Sequence, residues 1–220
     1  MTPLNVQFGC GFSVGEDWLN FDSSPTLRLE RLPVLGGLLS RMSGNRQPFP
    51  AAVRYGDITT GLPVPAGTVK ALYASHVLEH LSYEDFKSAL RQAHVLLARG
   101  GEFRLIVPDL EERARRYVAA LDAGRVDAGG AFMRSCMLGA ERRPKGPINF
   151  LRQMIGGSAH LWMWDHASMA AHLEAAGFVE VRRCDMGDSP DPAFRQVEDA
   201  SRFTDKDGFR ELAMSARKAA

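Results

Sequence analysis

Glycines and carboxylates near the start of the chain have the spacing expected of a nucleoside-binding site. Gly9 and Gly11 follow a short apolar segment, and glycine lets a ligand approach the backbone closely because it carries no Cβ. Asp22 and Asp57 each end a later apolar segment, so both carboxylates are predicted at the carboxyl ends of strands. Asp22 could accept hydrogen bonds from both ribose hydroxyls and Asp57 from the amine of a base, although Asp57 is equally typical of a turn. The pattern indicates a nucleoside cofactor.

A dinucleotide such as NAD fits this pattern less well. Its fingerprint needs glycines in the order G-x-G-x-x-G, then a full helix and an acidic residue about 20 positions further on. The third glycine here is Gly15, which is out of register, and Asp22 follows too soon for a helix to intervene. An NAD-dependent oxidoreductase is therefore the less favoured alternative.

The segment SHVLEH, from Ser75 to His80, has the spacing of a metal site. His76, Glu79 and His80 satisfy the H-x-x-E-H pattern, in which two imidazoles on one helical face share a zinc ion and the glutamate acts as base. However, the segment directly follows a predicted strand, and no third ligand stands at a recognisable distance. We predict no metal site and interpret the segment as a polar connection between a strand and a helix.

The elements that position these residues alternate between strand and helix. Short apolar runs ended by turn residues predict strands, and apolar residues at helical spacing predict helices. Gly100 and Gly101 are predicted to end the helix Tyr83–Ala98, and Pro108 is predicted to end a strand. The alternation predicts an α/β fold, a doubly wound, mostly parallel seven-stranded sheet with an antiparallel last strand and helical insertions. The predicted strands are Leu4–Phe8, Leu19–Asp22, Ala52–Tyr55, Val69–Ala74, Glu102–Val107, Phe178–Arg183 and Glu211–Ala216, and the predicted helices are Tyr83–Ala98, Leu110–Leu121 and Ala167–Ala176.

Length and composition favour one domain. The 220 residues suit a single domain, residues 1–220, with insertions at about 23–50 and 123–165 that we predict to cover the substrate side. The formal net charge of +1 lacks the basic excess of a DNA-binding protein. The three cysteines match no disulfide or zinc framework, as expected in a reducing compartment. No signal peptide and no run of about 18 apolar residues stand out, so we expect a cytoplasmic protein without membrane insertion, and the sequence leaves a homodimer open.

Several segments, in their order along the chain, resemble a known family. They are LNVQFGCG, WLNFD, GDITTGLPVPAGTVKALYASHVLEHLSYEDF, LLARGGEFRLIVPDLE and LEAAGFVEV. The order resembles the class I S-adenosylmethionine-dependent methyltransferases, and most of all the small bacterial group known as type 11 methyltransferases. The resemblance is weakest at residues 23–50 and 123–158. It implies a Rossmann-like methyltransferase fold, S-adenosylmethionine as the cofactor and S-adenosylhomocysteine as the product.

The resemblance also implies which residues bind the cofactor. These are Phe8, Gly9, Cys10 and Gly11 beneath the methionine part, Asp22 at the ribose hydroxyls, Asp57 and Ile58 at the adenine, and Ser75 and His76 at the sulfonium and methyl side. In this family the L-E-H segment commonly follows the fourth strand, which implies a structural role for Glu79 and His80. The short link from Gly15 to Trp18 departs from the class, in which a full helix separates the first two strands.

Transfer of a methyl group from a sulfonium needs positioning, exclusion of water and sometimes a base. His160 is the preferred base, because GGSAHLWMWDH concentrates two tryptophans and a second histidine in the predicted cover. The tryptophans are equally explained as anchors of the cover, and His166 as a cap of the next helix. The full set of candidate bases is His76, His160, His166 and Asp109, with Tyr73 and Tyr117 as orienting residues.

The sequence therefore leads us to expect methyl transfer from S-adenosylmethionine to oxygen or nitrogen of a small-molecule or carbohydrate-like acceptor. The near-neutral charge makes a large nucleic acid less favoured as acceptor, although a tRNA stays open. A non-catalytic module or partner subunit that binds S-adenosylmethionine is the main alternative, ahead of the NAD-dependent oxidoreductase.

Overall fold

One seven-stranded sheet organises the described part of the chain, residues 3–31, 47–139 and 159–220 of a computed structural model. The strands are β1 (Leu4–Phe8), β2 (Leu19–Asp22), β3 (Val53–Tyr55), β4 (Val69–Ser75), β5 (Leu97–Val107), β6 (Phe178–Arg183) and β7 (Leu212–Lys218). The helices are α1 (Pro25–Glu30), α2 (Tyr83–Leu96), α3 (Leu110–Asp122), α4 (Ala128–Ser135), α5 (His166–Ala175) and α6 (Ala200–Phe203), with 3₁₀ turns at Leu78–His80 and Pro192–Gln196. Among the described helices, none is long and apolar enough to cross a membrane.

The strand order is β3-β2-β1-β4-β5-β7-β6. Strands β1 to β5 pair in parallel, and β7 runs antiparallel to both β5 and β6. The predicted doubly wound sheet with an antiparallel last strand is therefore confirmed. The order reverses between β1 and β4, and in open α/β sheets ligands bind at the carboxyl ends of the strands at such a point.

Alternating side chains of the central strands build a separate apolar cluster on each face of the sheet. In β4, Leu72 and Ala74 join the larger cluster with Phe86 of α2, whereas Ala71 and Tyr73 join the smaller one. This is the two-residue period expected of a strand buried on both faces. Each buried aliphatic or aromatic side chain of this kind stabilises the fold by about 1.5–3 kcal/mol.

The smaller cluster is completed by the long connection between β6 and β7, residues 184–211. Trp18 packs against Phe194 of this connection with ring centroids 5.6 Å apart, and its indole N–H donates to the Ala193 carbonyl at 3.2 Å. No helix lies in the β1–β2 link, residues 9–18. The connection therefore covers the sheet face beside β1.

Two sequence expectations need correction within the described residues. Gly100 and Gly101 do not end the helix, because α2 already ends at Leu96 and both glycines lie inside β5, where the pairing with β4 is irregular and Gly100 has φ +71°. The segment after α3 is also more regular than expected, because α4 forms where Phe132 packs on Tyr117. Residues 32–46 and 140–158, which carry much of the two predicted insertions, lie outside the described residues.

Candidate functional site

The glycine turn after β1 is shaped by a close contact with the end of β4. Gly9 has φ +64°, and a Cβ added there would lie 2.2 Å from Cγ2 of Val77, the residue after His76. Gly11 has φ +55°, but an added Cβ would meet no heavy atom of the described residues within 4 Å. Glycine therefore suits these two positions for different reasons. Gly9 admits Val77, whereas Gly11 provides only the left-handed backbone and leaves open space above it.

Asp22, the predicted ribose ligand, connects the end of β2 to this turn. Its Oδ2 accepts a hydrogen bond from the N–H of Gly11 at 2.9 Å, and its Oδ1 accepts one from the N–H of Ser24 at 2.7 Å. The residue is 9% exposed. Each carboxylate oxygen has a further lone pair, so these backbone contacts leave capacity for ligand hydroxyls.

Cys10 lies in the same turn and is buried. Its burial, together with the negative charge of Asp22, raises the pKa of the Cys10 thiol to about 12. The thiol is therefore protonated at neutral pH and is not a nucleophile.

Asp57 and Ile58 follow β3, beside the end of β2. The carboxylate of Asp57 accepts hydrogen bonds from the N–H of Thr59 at 2.9 Å and from the Thr59 hydroxyl at 2.7 Å, and Ile58 is buried in the larger apolar cluster. The N–H of Gly56 donates to the Asp22 carbonyl at 3.1 Å, which holds this loop next to Asp22. Asp57 thus has the turn-forming role that the sequence left open, at the sheet edge where an adenine site was predicted.

A small cavity of about 30 Å³ lies between the glycine turn and the β6–β7 connection. Such a volume holds about one water molecule. The hydroxyls of Tyr73 and Ser75 are buried beside it and have no hydrogen-bond partner among the described residues. These two groups fit a polar ligand, but the volume does not hold a nucleoside. The side opposite the turn is formed by Val197, Asp199 and Arg202.

His76 stands between this cavity and a larger one. Its φ of +55° is rare for a residue other than glycine, and its Nε2 lies 3.2 Å from the Arg202 carbonyl oxygen. Its Nδ1 lies 3.4 Å from Oε1 of Glu79. Burial lowers the pKa of His76, but the contact with the Glu79 carboxylate outweighs it, so the pKa lies above its usual value.

The larger cavity has a volume of about 620 Å³, within the range of small-molecule sites. It lies beyond the carboxyl ends of the central strands, where Pro108 ends β5. Acidic and basic side chains are mixed on its wall, which suits a polar ligand. Its lining residues include His76, Arg113, Arg134, His160, Asp205, Lys206, Asp207 and Glu211.

Arg113 fixes part of this wall. Its guanidinium donates two hydrogen bonds to the carboxylate of Glu211, at 2.8 and 3.0 Å, and both residues are buried. In the sequence the acidic and basic run of α3 resembles an ordinary solvated helix face. Arg115 and Arg116 do pair with glutamates four residues earlier in the helix, whereas Arg113 pairs with the distant Glu211.

His160 lines the same cavity and is 7% exposed. Burial lowers its pKa below the usual value, and the charge of Glu79 offsets this only in part. Its Nδ1 has no hydrogen-bond partner among the described residues. Ligand atoms of Glu79, His80 and His160 lie within 4.8 Å of one another, so these three side chains could hold a metal ion.

Two of the candidate bases lie elsewhere. Asp109 caps α3, accepting hydrogen bonds from the N–H groups of Glu111 and Glu112, and pairs with Arg183 at 3.0 Å. It lines a separate cavity from that of His76. His166 is the first residue of α5 and is not the cap. Asp165 has that role, in a capping box with Ser168, because its carboxylate reaches the Ser168 N–H at 2.7 Å.

The two tryptophans of the predicted cover, and Tyr117 of α3, have packing roles. Trp164 is buried and stacks on Phe86 with centroids 3.9 Å apart, as expected of an anchor. Trp162 is more exposed and contacts Tyr83 at 4.9 Å. Tyr117 packs on Phe132, with the two rings tilted. No local signal in the sequence indicates that Arg202 and its neighbours lie beside the glycine turn, since their place depends on contacts between distant parts of the chain.

Comparison with protein families gives one match, which covers less than half of the chain. Residues 7–105, from β1 to most of β5, match the model of the family described as a methyltransferase domain. No curated protein sequence matches the chain.

The solved structures that align with this chain have low sequence identity to it. A CurJ carbon methyltransferase aligns with 100% of the chain and 49% of its own length, at 13% identity and a TM-score of 0.49. The YcgJ protein from Bacillus subtilis aligns with 100% of the chain and 93% of its own length, at 11% identity and a TM-score of 0.45. A Thermotoga maritima protein described as an S-adenosylmethionine-dependent methyltransferase aligns with 99% and 83%, at 13% identity and a TM-score of 0.47. The chain spans about half the length of the first of these structures.

Proposed function

We propose that this chain transfers the methyl group of S-adenosylmethionine to oxygen or nitrogen of a small-molecule or carbohydrate-like acceptor. The match of residues 7–105 to the model of a methyltransferase domain supports the proposal. The observation that carries this proposal is the glycine turn bonded to Asp22 at the point where the strand order reverses. When bound, the cofactor supplies a methyl group activated by its sulfonium. The chain has to bind both reactants, align them and exclude water.

The cofactor side comprises the residues that the sequence resemblance implied. Asp22 would bind the ribose with the lone pairs that its two backbone contacts leave. The buried hydroxyls of Tyr73 and Ser75, which have no partner among the described residues, would meet the polar end of the methionine part. Phe8 to Gly11 would lie beneath it, and Asp57 with Ile58 beside the adenine.

Cofactor binding requires residues 197–202 to move away from the glycine turn, because the cavity between them holds only about 30 Å³. Hydrogen exchange of the full chain tests this directly. Adding S-adenosylhomocysteine should change the exchange of residues 197–202 and leave that of β6 (Phe178–Arg183) unchanged. Equal exchange in both segments, with and without the ligand, would contradict the proposed movement.

The acceptor would enter the cavity of about 620 Å³, whose mixed charges suit a polar molecule. His76 and His160 both line this cavity, and Ser75, beside His76, lines the cofactor side. His76 is thus next to the expected path of the methyl group, and His160 is positioned to orient the acceptor. His160→Ala should lower turnover while leaving the affinity for S-adenosylhomocysteine unchanged. Unchanged turnover would exclude this role.

An acceptor screen, with release of S-adenosylhomocysteine as the readout, tests the activity itself. Polar small molecules, sugars and their phosphorylated forms are the acceptors to include, with a tRNA arm for comparison. Product release with one of the small molecules supports the proposal. If the cofactor binds and no acceptor releases product, the second candidate, a non-catalytic binding module, is favoured.

A further inference from the structure

We propose that Glu79, His80 and His160 form a binding site for a divalent metal ion of the zinc class in the wall of the larger cavity. The three side chains offer ligand atoms that all lie within 4.8 Å of one another. Around a zinc ion at about 2.0–2.2 Å from each ligand, the ligand atoms would lie about 3.4 Å apart. Side-chain rotations that move the ligand atoms by about an ångström would therefore complete the site. The proposal does not depend on methyl transfer.

The carboxylate of Glu79 is the clearest sign of a missing partner. The residue is 0% exposed, and neither oxygen accepts a hydrogen bond from any described residue. A buried carboxylate is costly unless it is paired or coordinates a metal. The 3.4 Å contact with Nδ1 of His76 involves only Oε1, so it leaves Oε2 without a partner.

Each histidine of the cluster has one ring nitrogen that faces the proposed site. Nδ1 of His80 lies 3.2 Å from the carbonyl oxygen of Ala159, and Nε2 of the same ring lies 3.9 Å from Oε1 of Glu79. His80 therefore has the arrangement typical of metal-binding histidines, in which the second nitrogen bonds a carbonyl and fixes the ring. Nδ1 of His160 is buried without a hydrogen-bond partner among the described residues.

The fold itself brings the third ligand to the other two. The backbone carbonyl of Glu79 accepts hydrogen bonds from the N–H groups of Leu161 and Trp162, at 2.7 and 3.2 Å. These contacts attach the segment that carries His160 directly to the 3₁₀ turn Leu78–His80. The rings of His80 and His160 consequently lie 5.1 Å apart. No third ligand is recognisable in the sequence, which is why no metal site was expected, and this contact supplies one.

The donor set indicates the class of ion. Two imidazoles and one carboxylate suit zinc and related transition metals better than magnesium or calcium, which prefer oxygen ligands. Three protein ligands leave a coordination position for water or a ligand oxygen, as in catalytic rather than closed structural sites. Because His160 lines the larger cavity, we infer that this position is reached from that cavity.

Calorimetric titration of the full chain with Zn²⁺, after removal of metal by a chelator, tests the site. We expect one ion per chain. His80→Ala and His160→Ala each remove a metal ligand. Loss of a residue that only hydrogen-bonds to a metal ligand typically weakens metal binding roughly 10- to 100-fold, and we expect each of these two substitutions to weaken it by more than that. Glu79→Gln, which keeps the shape of the side chain, should also weaken it. The matched control is His94→Gln, since His94 packs on Phe178 outside the cluster.

Two readouts on the unaltered chain keep the test independent of whether each variant folds. Co²⁺ in place of Zn²⁺ should give the visible absorption of a low-coordinate nitrogen and oxygen site. Zn²⁺ should raise the Tm by an amount that grows with the logarithm of the ratio of its concentration to its Kd. Equal Zn²⁺ affinity in the wild type and in His80→Ala, or no Co²⁺ absorption and no change in Tm in the wild type, would overturn the proposal. None of these measurements uses a methyl acceptor, so their failure is distinguishable from failure of the proposed function.

Discussion

Gly11 is the residue of the glycine turn whose replacement best separates ligand binding from folding. Its φ is +55°, and a Cβ added there would meet no heavy atom of the described residues within 4 Å. We therefore expect Gly11→Ala to displace no described side chain and to cost the left-handed backbone penalty, about 1–2 kcal/mol. For a domain of this size, that corresponds to a decrease in Tm of roughly 2–8 °C.

The added methyl group would occupy the space above the turn, beside the proposed ribose ligand. The N–H of Gly11 donates to Asp22 at 2.9 Å, so a cofactor displaced from the turn would also move away from that carboxylate. Loss of one hydrogen bond to a charged group weakens binding by about 1.5–3 kcal/mol. We therefore expect Gly11→Ala to bind S-adenosylhomocysteine roughly 10- to 150-fold more weakly.

Gly67 provides the matched control. Its φ is +70°, an added Cβ would again meet nothing within 4 Å, and it lies before β4, at the end of the sheet opposite the glycine turn. Gly67→Ala should lower the Tm by a similar amount and leave the calorimetric affinity for S-adenosylhomocysteine unchanged. Equal affinity in the two variants would refute the reasoning that the cofactor lies over Gly11.

Three further predictions concern the packing and charges around the site. Gly9→Ala would bring a Cβ to 2.2 Å from Val77, so urea unfolding should show a loss of more than about 2 kcal/mol, partly recovered when Val77→Ala is added. Absence of recovery would assign the loss to another contact. Asp22→Asn leaves one carbonyl oxygen to accept from two backbone N–H groups. We therefore expect the free energy of unfolding to fall by about 1–3 kcal/mol and S-adenosylhomocysteine to bind more weakly. Unchanged binding would exclude the ribose contact. Arg104→Met should lower the free energy of unfolding by about 3–5 kcal/mol, because it removes the guanidinium that pairs with the buried side chain of Glu198, whereas Arg115→Met, on the surface, should not change it. Equal effects of the two substitutions would contradict this expectation.

The succession of strands along the chain and most of their limits could be predicted from local signals. β2 ends at Asp22 and β5 at Val107, before Pro108, as expected, because turn residues and proline directly bound each apolar run. The predicted end of α2 was wrong. Gly100 and Gly101 were interpreted as the end of the helix, whereas the chain there forms an irregular strand pairing. A local pattern could not show that Leu97 already pairs with Val69.

The candidate site was predictable only where its residues follow the strands directly. Gly11 and Asp22 lie at the same edge of the sheet, as expected of residues that follow neighbouring parallel strands, and the structure adds a hydrogen bond between them. The approach of His160 to Glu79 could not be predicted, since it depends on two backbone hydrogen bonds to a distant segment. The same holds for Arg104. It is 1% exposed and pairs with Glu198 and Asp188, and a single arginine within an apolar strand does not identify its partners.

The central claim is that the glycine turn and Asp22 bind the S-adenosyl cofactor. The most direct measurement is calorimetric titration of the unaltered chain with S-adenosylhomocysteine and, separately, with NAD. We predict that S-adenosylhomocysteine binds with a stoichiometry of one per chain and more tightly than NAD. Tighter binding of NAD, or no binding of S-adenosylhomocysteine, would contradict the claim.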